Sequence, residues 1–126
     1  MRIDVTFIGI GLIVLLLGMS FGAWMGATDN FQYADLHAHL NLLGFVLPTL
    51  FGLLHRTYPG LVRSRLAWPH LVAHFTGVLI FIPGLYIVVT TNNALIVSVG
   101  ASVVILSALT LAYIFFSADK SEAARS

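Results

Sequence analysis

Apolar residues run through this chain in four long blocks, from about Val5 to Ala27, Leu36 to His55, Trp68 to Val89, and Ala94 to Phe116. Each is close to the roughly 20 residues that a helix needs to cross the hydrocarbon of a bilayer. Polar and turn-forming clusters separate them: Asp29, Asn30, Gln32 and Asp35, then Pro59, Gly60, Arg63, Ser64 and Arg65, then Thr90, Thr91, Asn92 and Asn93. Pro69 suits the first turn of the third helix, where a missing N–H costs nothing. The pattern predicts an all-α protein. Residues 1–118 are expected to form a bundle of four transmembrane helices in the lipid bilayer, and 119–126 a frayed, charged tail.

Composition strengthens this reading. The 126 residues are 59% hydrophobic and 9% charged, with a mean hydropathy of +0.97, far from the roughly one-quarter charged of a soluble domain. The first apolar run is longer than the roughly 7–15 residues of a signal-peptide core, so it reads as a span. Arg2, Arg56, Arg63, Arg65, Lys120 and Arg125 all fall at one end of the expected bundle, and the other two connections carry no Lys or Arg. The positive-inside rule then places both termini and the middle loop in the cytoplasm, in a multi-pass protein of the plasma (inner) membrane. A net charge of +1 gives no basis for nucleic-acid binding. The absence of cysteine excludes disulfides, thiolate-bound metals, iron–sulfur clusters and covalently attached c-type haem.

Small residues mark two helix faces. Gly11, Gly18, Gly22 and Gly26 line one side of the first helix, where another backbone can approach closely, from this chain or from a second copy. Gly44, Pro48 and Gly52 share a face of the second helix, which Pro48 is expected to bend.

Five histidines stand in a chain with few other ionisable groups at membrane depth, and such groups are costly enough to imply a role. His37 and His39 open the second helix. Two residues apart, they point about 200° from each other and cannot chelate one ion together. Each faces a different cleft, as a ligand or as an interfacial side chain. His70 and His74 share a face of the third helix and could bind a metal, with His55 approaching from the neighbouring helix end. The competing expectations are an interfacial cap with a hydrogen bond across the bundle for His70 and His74, and a snorkelling side chain at the boundary for His55.

The stretch His37-Ala38-His39-Leu40-Asn41-Leu42-Leu43-Gly44, followed by Gly52, Tyr58-Pro59 and His70-Leu71-Val72-Ala73-His74-Phe75, resembles subunit I of the haem–copper oxidases. The resemblance is closest to cbb-type oxidases and nitric oxide reductases, and it covers about half of this chain. Members have about twelve helices in three four-helix arcs, so this chain is similar to one arc. In the family the two histidines of the pair bind different haems on opposite sides of one helix. The resemblance therefore implies a non-covalent haem b with His37 and His39 on iron. Asn41 would orient an imidazole or a propionate, and Gly44 would let the flat macrocycle approach the helix.

The departures limit what is carried over. Val88, Val89, Thr90 and Thr91 occupy the depth of the family's copper ligands, and the arginine-free loops offer no propionate clamp. Oxygen reduction at a haem–copper centre is not expected. Bis-histidine ligation favours electron transfer with a redox partner that the sequence does not name. One arc alone cannot enclose a haem, so the ligands are expected to meet between copies. A head-to-tail trimer would offer His37 to one neighbour and His39 to the other. A twofold dimer, the main alternative, would pair His39 with His39 and leave His37 spare. The other readings are a histidine-based metal site and an accessory or assembly protein without haem.

Overall fold

A computed structural model describes residues 1–124. Four helical segments are long and apolar enough to cross a membrane: Ile3–Thr28, Phe31–Thr57, Ala67–Thr91 and Leu95–Lys120. The first is helix α1 (Ile3–Thr28), closed by Asp29 in the left-handed region at φ 55°. The second combines a short 3₁₀ turn at Phe31–Tyr33, α2 (Ala34–Asn41), a π-helical turn at Leu42–Val46 and α3 (Leu47–Thr57). A five-residue helix, α4 (Pro59–Arg63), tucks Leu61 completely under the bundle end. Then come α5 (Ala67–Thr91), closed by the left-handed Asn92, and α6 (Leu95–Ala123). The last helix therefore continues well past Phe116 into the segment expected to be frayed. Ala118, Asp119 and Lys120 can continue a helix outside the apolar region, where water solvates their side chains. Arg125 and Ser126 of that expected tail lie outside the described residues.

The bundle is two helix pairs joined along one side. α1 packs on α2, the π turn and α3, while α5 packs along the length of α6. At the arginine-bearing end, Ile3, Phe7, Phe51, Leu61, Ala67, Leu71, Leu111 and Ile114 close a common core. Toward the other end α1 and α5 separate, leaving an apolar groove of about 440 Å³ between residues such as Val14, Leu17, Leu79 and Pro83. Leu12, Ile13, Leu16, Leu79, Leu106 and Leu109 are exposed. Such an outward apolar surface requires hydrocarbon rather than water around it.

The glycine stripe of α1 serves contacts inside the chain. A Cβ added to Gly22 would meet the His37 ring, one on Gly18 would meet the Asn41 amide, and one on Gly11 would lie 3.1 Å from Thr49 Oγ1. Gly26 has open space. The α5–α6 pair has a similar device that the first two helices do not predict: an added Cβ on Gly84 would lie 2.5 Å from the Val97 backbone nitrogen, and one on Gly100 the same distance from that of Phe81. Ser107 of α6 also donates to the His70 carbonyl at 3.2 Å, inside the pair.

Candidate functional site: two histidine groups at opposite ends

His37 and His39 sit on the turn where α2 begins to pack, and they face different helices of their own chain. His37 lies toward α1, its ring 6.1 Å from that of Phe21 and its Cε1 edge against Gly22. His39 lies toward α5, 5.3 Å from the Phe81 ring. Both are half-buried. The opposed orientation expected from helical spacing is present, and the cleft on the His37 side is filled by α1.

His39 has a defined tautomer. Its Nδ1–H donates to the Asp35 carbonyl one turn earlier at 2.8 Å, and a carbonyl can only accept. In the neutral imidazole Nε2 is then the lone-pair nitrogen, and it bonds no described residue. This is the arrangement of a metal-binding imidazole held by a backbone carbonyl behind it. Asn41 and Gly44 have other occupations. Asn41 Nδ2 donates to the His37 carbonyl at 2.9 Å and lies 3.4 Å from His37 Nδ1. Gly44 is buried against Val14 of α1. The face that the sequence offers to a flat macrocycle is thus covered by α1, because glycine on both helices lets the backbones approach.

The second group lies at the arginine-bearing end. His55, His70 and His74 are at most 1% exposed. His55, expected to snorkel beside Arg56, instead turns inward. About 100° around the helix from it, Arg56 reaches Asp4, while Leu61 of α4 closes the bundle end. The rings of His55 and His70 stack at 5.8 Å with planes 9° apart. Phe7 and Phe51 flank His70 at 5.1 and 5.0 Å. His55 Nδ1–H donates to the Phe51 carbonyl at 2.8 Å. His55 Nε2, both nitrogens of His70 and His74 Nδ1 have no partner among the described residues. The expected approach of His55 to His70 is present, and among the described residues no group of three or more histidine or acidic side chains is arranged to hold a metal ion.

His74 has a structural role that follows from Pro48. Within the π turn the Leu47 N–H bonds the Leu42 carbonyl, five residues back. In that register the donor for the Leu43 carbonyl would be residue 48, a proline with no N–H. His74 Nε2–H supplies the missing donor from α5 at 2.8 Å. Of the hydrogen bond across the bundle expected for His70 and His74, His74 alone makes one through its ring, and the predicted bend at Pro48 takes the form of a π turn. Replacing His74 with phenylalanine is expected to destabilise the bundle by about 1–3 kcal/mol, the cost of an unpaired buried carbonyl. His74→Gln, which keeps a donor, should retain part of that stability. Unfolding in mixed detergent with a denaturing surfactant measures both. Equal stability of wild type and His74→Phe would remove this role.

Asp4 completes the arginine-bearing end, and the sequence reading overlooked it. Its carboxylate accepts from Arg2 Nη2 at 2.8 Å and Arg56 Nε at 2.9 Å, tying the start of α1 to the end of α3. The signal for it was an acid at the start of the first apolar run, opposite an arginine at the end of the second.

Comparison with known protein families, curated proteins and solved structures found no match.

Proposed function

We propose that this chain is a membrane-bound b-type haem protein with an electron-transfer role, in which His39 is the axial ligand each copy presents. The carrying observation is the fixed imidazole: Nδ1–H on the Asp35 carbonyl and Nε2 without a protein partner. The resemblance of the His37 to Gly44 stretch to the haem–copper oxidases supports the same cofactor. Haem bound there would supply a one-electron couple, and its iron would take imidazole Nε2. Asp35 would hold the ring orientation through its carbonyl, and Phe81 would limit the rotation of the ring.

His37 fits a ligand role less well, because its Cε1 edge lies along Gly22. The second imidazole would accordingly come from His39 of another copy across a twofold axis, the commonest symmetry of oligomers. Both termini are assigned to the cytoplasm, across a plasma membrane, by the arginine distribution, which would put the haem near the outer surface. With both axial positions filled by imidazole, electron transfer is favoured over binding of a gas.

Native mass spectrometry from detergent tests the arrangement. The expected species is a dimer with one haem per two chains. A trimer with a haem-to-chain ratio near one would instead bring His37 into ligation. A monomer that keeps six-coordinate haem would overturn ligation shared between copies, and bound metal without porphyrin would favour the metal-site alternative.

A further inference from the structure

The arginine-bearing end holds a cavity of about 280 Å³ whose wall includes Arg2, Asp4, His55, Arg56 and Arg63, with Ile3 and Val62 as apolar members. The formal charges are three positive and one negative, a net +2. Arg2 and Arg56 share the single carboxylate of Asp4, so neither is neutralised by a partner of its own. Arg63 has no ion pair or side-chain hydrogen bond with the described residues. His55 is 1% exposed and its Nε2 has no partner. Its Nδ1–H is spent on the Phe51 carbonyl, and Nε2 is closed off within the wall of the cavity. The cavity is therefore complementary in charge to a ligand carrying two negative charges.

Its depth selects the source. Arg2 immediately precedes the first span, which begins at Ile3, and Arg56 is the penultimate residue of the second, which ends at Thr57. The cavity thus lies where hydrocarbon meets headgroups, and basic pockets between transmembrane helices at that level hold anionic lipid heads. The geometry points to a binding site for diphosphatidylglycerol, a phospholipid with two phosphodiesters joined through a glycerol that keeps one free hydroxyl. The phosphates pair with Arg56, Arg63 and Arg2, and Ile3 and Val62 meet the start of the acyl chains. This assignment does not depend on the haem reading.

The test uses full-length protein stripped of lipid in mild detergent and offered diphosphatidylglycerol, phosphatidylglycerol, phosphatidylcholine or inorganic phosphate, with retention read by native mass spectrometry. Diphosphatidylglycerol should be retained over both other lipids and should resist displacement by inorganic phosphate. Arg63→Gln breaks no ion pair or side-chain hydrogen bond among the described residues and should fold normally while losing about fivefold in retention, the contribution of one arginine at an anionic surface. Arg56→Gln should lose at least as much, with its helicity checked because the Asp4 pair goes with it. Equal retention of phosphatidylcholine, or Arg63→Gln binding like the wild type, would overturn the site. Phosphatidylglycerol retained equally well would overturn the two-phosphate assignment, and displacement by inorganic phosphate would overturn the lipid as the source.

Discussion

His39→Ala is expected to abolish haem retention, whereas His37→Ala should keep most of it. Losing an axial ligand should cost more than the roughly 10–100-fold in affinity that loss of an orienting partner costs. The chain would then purify without the six-coordinate signature. The asymmetry between the two histidines is the informative part, because they are two residues apart and equally half-buried. His37 is engaged by α1 at Gly22 and by Asn41, so its removal should loosen the α1–α2 contact more than the haem. His55→Ala, at the far end of the bundle, should leave the spectrum unchanged while costing stability through the emptied core position. Absorption spectra and haem content of the three variants decide this. Equal losses at His37 and His39 would return both to ligation, as the head-to-tail trimer requires.

The second large effect is expected at Gly100. A Cβ there would lie 2.5 Å from the Phe81 backbone nitrogen and 2.6 Å from its Cα, and those atoms cannot rotate away as a side-chain end can. The α5–α6 axes must separate along a pair that runs the length of the bundle. Gly100→Ala is expected to destabilise by about 2–3 kcal/mol, at the upper end of overpacking costs, and Gly100→Leu should prevent recovery of folded protein. Gly9→Ala is the matched control. Nothing lies within 4 Å of its added Cβ, and alanine is the better helix former by up to about 1 kcal/mol. It should be neutral or stabilising. Surfactant-induced unfolding followed by circular dichroism compares the two, and a tolerated Gly100→Leu would contradict the backbone-to-backbone packing.

These cases show which parts of the molecule were legible in the sequence. The four spans were, because a run of apolar residues long enough for a bilayer has few alternative structures. The opposed faces of His37 and His39 were, because helical spacing alone fixes them. The occupants of those faces were not. That Gly22, Gly18 and Val14 of α1 receive His37, Asn41 and Gly44 depends on how two helices register, and the periodicity of one helix does not encode register with another. The π turn shows the same division. Pro48 announces a defect in the helix, but its repair by His74 joins residues 31 apart in the chain. His55 was misread for a related reason: its neighbour Arg56 marked the residue as interfacial, yet adjacent helical positions look in directions about 100° apart. Gly84 and Gly100 were missed because their partnership spans the α5–α6 turn, while the small-residue pattern is easiest to see within one helix.

The central claim is that His39 of this chain holds haem iron. The direct measurement is the absorption spectrum, oxidised and reduced, of full-length protein purified in mild detergent from a host with ample haem. The account predicts a Soret band and, on reduction, sharp α and β bands of six-coordinate low-spin iron, present in wild type and in His55→Ala but absent from His39→Ala. A colourless folded protein, or one whose spectrum is the same with and without His39, would contradict it.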